Sequence, residues 1–247
     1  MCNLQNELND YAKKFAISEN MIDESHFYDF RQNIFGGEMK PEFIKMFMDG
    51  DGNELVTKAC AVHSSSMLGY NFFHWISKEQ PFTYKNIEYT KVLFEVKIRV
   101  LKRSPKPANM DIVLTNDKND ILFIESKFLE YLRKQKFSIS DTYKNKIESY
   151  YCKGNEWSNF IKNHDTEQKG HYWDGIKQEI CHLIGLTNWA SGEPKIINEL
   201  PSFDKSKDIK FLNLVFELIR NIRKNMKLLM TTKNSIIIYI KNLKNKI

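Results

Sequence analysis

The stretch that decides the fold reads MDIVL at positions 110–114, passes through a polar turn, and continues as ILFIESK at positions 121–127. Two apolar runs separated by turn residues predict a β-hairpin. Side chains alternate between the two faces of a strand, so Glu125 and Lys127 project to the same side. The hairpin therefore ends with an acid and a base on one face.

The length of the turn sets which side chains face each other across this hairpin. If residues 116–120 form the turn, Asp111 lies opposite Glu125, with Cβ atoms about 4.5–5.5 Å apart. Two carboxylates and the Lys127 ammonium then converge at one end of an apolar hairpin. In the alternative interpretation, Asp111 simply opens a strand and Glu125 forms an exposed salt bridge with Lys127.

The residue types in this trio suit a hard divalent cation. Mg²⁺ binds to a few carboxylate oxygens and keeps several waters, and the Ser126 carbonyl is a further oxygen ligand. A cation held by Asp111 and Glu125 polarises a phosphoryl oxygen and generates hydroxide, while Lys127 offsets developing charge. Without the cation the carboxylates repel each other, so at least one should titrate above its reference pKa of about 4.

Asp111 followed by Glu125-Ser126-Lys127 resembles the motif of the PD-(D/E)XK nuclease superfamily, which includes many restriction endonucleases and recombination nucleases. Met110 stands where many members have proline. The resemblance implies an α/β fold with an αβββαβ core, a mixed central sheet flanked by helices. It also implies dependence on Mg²⁺, with Mn²⁺ as a substitute, and cleavage of double-stranded DNA, often by a homodimer.

The first half of such a core can be read along the chain. Apolar residues at helical spacing predict a helix over 53–76 that is capped by Asn53. Alternation with period two predicts a strand over 91–103, before the hairpin, with one buried face. The same alternation puts Glu95 on the opposite face of this strand, together with Lys97.

The second half follows the hairpin. A second helix is predicted over 174–190, and a last strand over 209–216. The apolar run of that strand equally fits the opening of a helix that reaches Met230.

We expect a single nuclease domain over residues 1–247. Its core comprises about 53–128 and 173–217, with an insertion at about 132–172 and a helical, peripheral amino-terminal arm over 1–45.

The resemblance also implies two further site residues. An acid from the first helix often joins the metal shell in this superfamily, and Glu54 is the matching residue; alternatively it only favours the helix dipole. The RecB-like members carry a glutamine followed four residues later by tyrosine in the second helix. Gln178 matches the glutamine and His182 replaces the tyrosine, although the two also fit an ordinary exposed polar pair.

Composition fits a nucleic-acid partner without requiring one. The chain of 247 residues has 37 Lys and Arg against 31 Asp and Glu, a net charge of +6. Lysines alternate with aromatic residues in the insertion, a pattern that suits contacts to phosphates and stacking on unpaired bases. The alternative is a solvated helical pair whose rings pack on the core.

Several other classes lack support in the sequence. The longest apolar run near the end, 236–240, is too short to span a bilayer, and no amino-terminal signal is visible. We therefore expect no membrane partner and a cytoplasmic location. Neither a GxxxxGK loop nor a GxSxG elbow occurs, so nucleotide hydrolysis and serine esterase chemistry have no motif.

Together these patterns predict a Mg²⁺-dependent phosphodiester hydrolase, a DNA endonuclease of restriction type. Two alternatives stay open at this point. One is a catalytically inactive nucleic-acid-binding protein on the same fold, and the other is a metal-dependent nuclease that acts on RNA or on a small phosphodiester.

Overall fold

The structure, a computed structural model, describes most of the chain between residues 26 and 215. The described residues are 26–35, 38–50, 54–102, 107–128, 139–165, 176–192, 200, 203–204, 206–207 and 209–215.

The centre of the molecule is a four-stranded mixed sheet. A small hairpin of β1 (Phe82–Tyr84) and β2 (Ile87–Tyr89) precedes it. The sheet has the order β3-β4-β5-β6, with β3, β4 and β5 antiparallel and β6 parallel to β5. Its strands are β3 (Lys91–Ile98), β4 (Ala108–Thr115), β5 (Ile121–Lys127) and β6 (Lys210–Val215).

Five α-helices accompany these strands in the described ranges. They are α1 (Pro41–Asp49), α2 (Ser65–Phe73), α3 (Asp141–Asn145), α4 (Gly154–Asp165) and α5 (Ile176–Ala190), with 3₁₀ turns at Phe30–Asn33, Lys58–Cys60 and Ile147–Ser149. The predicted mixed α/β class, with helices on a sheet of mixed orientation, is confirmed. Within the described residues, no helix combines the length and apolar character that crossing a bilayer requires.

The predicted hairpin and its register are confirmed. Thr115 pairs with Ile121, and the antiparallel ladder runs back to the pair Ile112 and Ile124. Asn116 shapes the turn, because its side-chain oxygen accepts the backbone N–H groups of Lys118 at 3.0 Å and of Asp120 at 2.9 Å. This local bonding fixes the register that brings the two predicted acids to the same end of the sheet.

Helices cover both faces of the sheet. The aromatic rings of Phe47 in α1 and Tyr70 in α2 pack on Phe94 of β3, within the cluster that fills one face. On the other face, Trp189 of α5 packs edge-on against Phe123 of β5. Every residue of β5 is buried, as expected for a strand with both faces covered.

The prediction of one helix over 53–76 is wrong in its first half. Residues 54–57 form turns, and the helix begins only at Ser65, with Ser64 as its cap. The physical reason is competition for backbone carbonyls, because the Asn33 side-chain amide donates to the carbonyls of Ala59 at 3.0 Å and Ala61 at 2.8 Å. The predicted cap Asn53 lies outside the described residues.

Part of the predicted amino-terminal arm also belongs to the core. Residues 1–25 lie outside the described ranges, but α1, which begins at Pro41, packs against the sheet. Its Phe43, which lies within the predicted arm, is 6% exposed, and Phe47, two residues beyond the arm, is 1% exposed. The described end of the arm is therefore not peripheral.

Two aromatic rings of the predicted insertion pack inward. Tyr150 and Trp157 are buried in a third cluster with Ile180 and Ile184 of α5, whereas Phe160 is 40% exposed. For the described part of the insertion, residues 139–165, the packing alternative is confirmed for these two buried rings.

The other elements lie close to their predicted bounds. Helix α5 begins two residues after the predicted 174 and ends at Ala190 as predicted. Strand β6 confirms the predicted last strand, and the alternative of a helix over residues 210–215 is wrong. Strand β3 ends at Ile98, earlier than the predicted 103, which lies outside the described residues.

Candidate functional site

The site lies where the β4–β5 ladder ends. The last pair of the ladder is Ile112 and Ile124, and Asp111 and Glu125 are the next residues along the two strands. Asp111 Oδ2 accepts the backbone N–H of Ser126 at 2.7 Å. Asp111 keeps partial exposure, whereas Glu125 is 1% exposed.

Lys127 binds Glu125 and a residue of α5. Its ammonium group contacts Glu125 Oε1 and donates to Gln178 Oε1 at 2.9 Å. The side chains of Lys127 and Glu125 are 10% and 1% exposed, so their pair is not the exposed salt bridge of the alternative interpretation. Gln178 thus joins the group that the sequence predicted, because α5 covers this face of β5.

Ser126 is completely buried between Asp111 and α2. Its backbone N–H bonds Asp111, and its hydroxyl donates to the Ser65 carbonyl at 2.8 Å. A Cβ on Gly69 of α2 would stand 3.4 Å from Ser126 Cβ and 2.7 Å from Ile112 Cδ1. The absence of a side chain at Gly69 therefore allows the helix to lie close to the hairpin.

His182, one turn after Gln178 on α5, also faces the acids. Its Nδ1 lies 3.3 Å from Glu125 Oε2, and its Nε2 lies 2.9 Å from the Asn109 carbonyl oxygen, so Nε2 carries the donated hydrogen. The ring is 1% exposed. The spacing of four from Gln178 indicated this position, but an exposed polar pair fitted the same spacing.

Glu95 is a site neighbour that the sequence interpretation missed. It is 8% exposed, although the strand alternation predicted the outer face. Its backbone has φ of 53°, in the left-handed region, and the β3–β4 pairing skips it. Asn109 Nδ2 donates to Glu95 Oε2 at 3.3 Å, which links Glu95 to the peptide that His182 bonds.

The irregular backbone at Glu95 changes which face of β3 is buried. Val92 and Phe94 belong to the cluster under α1 and α2, whereas Val96 and Ile98 belong to the cluster under α5. Residues two apart normally share a face, so the strand switches faces at Glu95. In the sequence, the sign of this switch is the acidic residue inside the otherwise mostly apolar run VLFEVKI.

Glu54 lies beside this group, in a turn before α2. Ser66 Oγ donates to Glu54 Oε1, and Lys58 Nζ lies 2.7 Å from Oε2. Glu54 is 5% exposed and is one of the charges that raise the pKa of Glu95. Among the described contacts, those of Glu54 tie it to Ser66 and Lys58 rather than to the Asp111–Glu125 pair.

Burial dominates the electrostatics of the site. Burial and the neighbouring Glu125 raise the pKa of Asp111 to about 8, and burial raises the pKa of Glu125, against the opposing effect of Lys127. Burial and then the Asp111 charge hold the pKa of Glu95 well above its usual range. At least one acid thus titrates above its reference value, as the sequence predicted. Burial lowers the pKa of His182 to about 4.

The donor atoms fit a divalent cation in chemistry. Glu125 Oε2 and His182 Nδ1 are buried and have no hydrogen-bond partner in the structure, although an unpaired buried acceptor is costly. Across the described ranges, no three His, Cys, Asp or Glu side chains converge closely enough to hold an ion as they stand.

Comparisons with protein-family models, with curated proteins and with solved structures find no match to this chain.

Proposed function

We propose that this protein is a Mg²⁺-dependent phosphodiester hydrolase with a restriction-endonuclease-like fold, and that it acts as an endonuclease on double-stranded DNA. One observation carries the proposal. Asp111 and Glu125 directly follow the last pair of the hairpin ladder, and the ammonium group of Lys127, two residues after Glu125, donates to Gln178.

The arrangement of elements supports the proposal independently of the acids. Helix α2, the three antiparallel strands β3 to β5, helix α5 and the parallel strand β6 follow one another in that order. The order agrees with the αβββαβ core that the motif implies. A hairpin carrying these acids at random in another fold would not be expected to sit inside this sequence of elements.

Each side chain has a definite task in the proposed reaction. Asp111 and Glu125 would hold the cation, which supplies Lewis-acid activation of the phosphate and a bound water of lowered pKa. The Lys127 ammonium stabilises negative charge that develops on the phosphate oxygens. Gln178 restricts Lys127 by accepting one of its hydrogen bonds, so that the ammonium group is already oriented before substrate binds.

The proposal is tested by the variants Asp111→Asn and Lys127→Met. Asparagine keeps an oxygen acceptor for the Ser126 N–H but loses the charge, and methionine keeps the apolar stem of lysine. Cleavage of supercoiled DNA in Mg²⁺ should fall by about 10²–10³-fold or more in each. The matched control is Asp117→Asn, an exposed acid of the same hairpin that pairs with Lys78.

Circular dichroism and denaturant unfolding establish that each variant is folded. Cleavage that survives undiminished in both site variants would reject the proposal. Parallel digestion of double-stranded DNA, single-stranded DNA and RNA identifies the substrate class, and exclusive cutting of RNA would replace DNA with RNA in the proposal.

A second candidate is a catalytically inactive nucleic-acid-binding protein on the same fold. It is favoured by one observation, that the described acids do not converge on a shared point without side-chain movement. Its signature is DNA binding that weakens steeply with salt, without cleavage in either Mg²⁺ or Mn²⁺.

A further inference from the structure

The second half of β3 and the residues that follow it carry a row of exposed basic side chains. Lys97, Arg99 and Lys102 are exposed, and none of them forms an ion pair within the described residues. We call these three residues the basic row. The sequence over 97–102 is KIRVLK, so no acid interrupts the row. Like charges without partners on a surface attract an anionic binding partner.

The change of face at Glu95 is what exposes the basic row. Val96 and Ile98 lie in the cluster under α5, and side chains alternate along a strand, so Lys97 and Arg99 point away from α5. On that opposite face, the cluster under α1 and α2 contains residues from the first half of β3. The second half of this face therefore presents basic side chains to solvent.

The basic row begins beside the candidate acids. Lys97 pairs with Asn109 of β4, and residues paired in this way have Cβ atoms about 4.5–5.5 Å apart. The Asn109 side chain donates to Glu95 at 3.3 Å, and the Asn109 carbonyl oxygen lies 2.9 Å from His182 Nε2. Asp111 follows Asn109 by two residues. Lys97 thus places a positive charge next to the hydrogen-bond network of the site.

Hydrogen bonds hold the backbone of the basic row in place. Asn188 of α5 is completely buried, and its side-chain amide donates to the carbonyls of Arg99 at 3.1 Å and Val100 at 3.0 Å. The Lys102 N–H donates to the carbonyl of Ser149, which belongs to the insertion, at 2.8 Å. The basic row therefore extends, on a fixed backbone, from the candidate acids to the insertion.

We propose that the basic row binds the phosphate backbone of duplex DNA and positions it at the candidate site. The inference rests on the proposed function in that it takes DNA as the substrate, and it assigns the surface that holds this substrate. Alternate residues of a strand lie about 6.6 Å apart. One DNA strand presents about two phosphates over that length, so Lys97 and Arg99 can each bind one, Arg99 with two parallel hydrogen bonds.

The competing explanation is protection of a sheet edge. Strand β3 is the end strand of the described sheet order, and charged side chains on an edge strand prevent pairing with another chain. Lys91, which is exposed at the other end of β3, suits that role equally well. Under this explanation, the basic row contributes no more to DNA binding than other exposed lysines do.

The test measures DNA binding by the full chain in EDTA, so that cleavage does not contribute. The row variant combines Lys97→Gln, Arg99→Gln and Lys102→Gln. It should bind a fluorescein-labelled duplex at least about tenfold more weakly than the wild type, because contacts between charged groups are lost. Fluorescence anisotropy over a salt series should show a slope of log affinity against log salt that is smaller by about 2.7, at about 0.9 for each phosphate contact.

Two control variants separate the effect of position from the effect of charge. The first changes three exposed lysines at the other end of the sheet to glutamine, namely Lys85, Lys91 and Lys118. The second keeps every charge of the basic row through Lys97→Arg, Arg99→Lys and Lys102→Arg. Both should retain the wild-type slope, and circular dichroism establishes that all variants are folded.

Two results would overturn the inference. One is an equal fall in slope for the row variant and the first control, which would leave edge protection as the explanation. The other is a wild type that binds polyglutamate as tightly as a duplex of the same charge, because the row would then fit an acidic polypeptide equally well.

Cleavage assays in Mg²⁺ keep this inference distinct from the proposed function. A reduced slope in the row variant, without cleavage by the wild type, supports the basic row and rejects the hydrolase. Cleavage by the wild type, with an unchanged slope in the row variant, rejects the basic row and retains the nuclease.

Discussion

Asp111 and Glu125 lie at the same end of the hairpin although their negative charges repel each other, because the pairing of the two strands fixes both positions. The Ser126 N–H and the Lys127 ammonium offset part of the repulsion. Burial raises the pKa of Asp111 to about 8, and the repulsion that is not offset adds to this rise. Without metal, the folded site therefore retains a proton at neutral pH that an exposed pair of carboxylates would have lost.

This retained proton makes the stability of the metal-free protein depend on pH. The folded pKa of Asp111 lies above its unfolded value of about 4, so the folded state binds more protons between the two values, and stability falls as pH rises through that window. His182 shifts the other way and opposes this effect by a smaller amount, because about half of the unfolded histidines still bind a proton at pH 6.5. From pH 6.5 to 8 the free energy of unfolding should therefore drop by about 1 kcal/mol.

Urea denaturation in EDTA across this pH range measures the effect. Asp111→Asn should flatten the dependence, and Asp117→Asn should leave it unchanged. Saturating Mg²⁺ should also flatten it, because bound metal requires ionised carboxylates. Stability that rises with pH over the same range in the metal-free wild type would contradict the shifted pKa.

The residues of the site differ in how far the sequence could place them. Asp111, Glu125 and Lys127 were placed because a five-residue turn and strand alternation are local properties. Glu95 was not, since its burial depends on a left-handed backbone. For His182 the spacing from Gln178 gave the helix face but not the burial, which depends on how α5 crosses the sheet. No periodic pattern encodes those two features.

Helix α5 packs closely against β3 at one glycine. A Cβ on Gly185 would stand 2.2 Å from Ile98 Cγ2, and Ile98 is completely buried. The β-branched side chain of Ile98 has few other rotamers to adopt. The absence of a side chain at Gly185 thus sets the distance at which α5 presents Gln178 and His182 to the acids.

Gly185→Ala should therefore destabilise the fold. Overpacking of this kind costs about 1–3 kcal/mol, whereas alanine gains only about 0.8–1 kcal/mol of helix propensity over glycine. Denaturant unfolding measures the net change. Lys177→Ala, at an exposed position of the same helix, should leave stability within about 0.5 kcal/mol. An unchanged or raised stability of Gly185→Ala would indicate that the helix can move away without loss.

The elements differ in predictability for a related reason. The hairpin, α5 and β6 followed from their own apolar patterns. The segment 54–64 has a helical pattern as well. Its carbonyl groups, however, accept hydrogen bonds from distant residues: the Asn33 side chain donates to two of them, and the Phe27 N–H donates to the Cys60 carbonyl at 2.9 Å. A competing partner so distant in sequence cannot be read from local spacing.

The insertion buries apolar side chains on one side and exposes lysines on the other. Tyr150, Trp157 and Ile161 are buried against α5. Lys146, Lys153 and others in the same stretch are exposed. The buried aromatic rings therefore contribute to the core. The lysine side chains stay on the surface, where the phosphates of a nucleic acid can reach them.

Replacing Lys146, Lys153 and Lys162 with glutamine should weaken DNA binding without loss of stability. Each lost phosphate contact reduces the slope of log affinity against log salt by about 0.9. Fluorescence anisotropy over a salt series measures that slope. The control set is Lys85, Lys91 and Lys118, exposed lysines at the opposite end of the sheet. Equal slopes for both sets would remove the insertion from the binding surface.

The left-handed backbone at Glu95 has a consequence for the history and engineering of this chain. A residue other than glycine in that region costs about 1–2 kcal/mol, and here it also carries a buried acid. Selection for heat resistance alone would favour glycine or a neutral side chain at this position. Thermostable variants selected without screening for activity should thus accumulate substitutions at position 95, and they would lose any contribution of this acid to function.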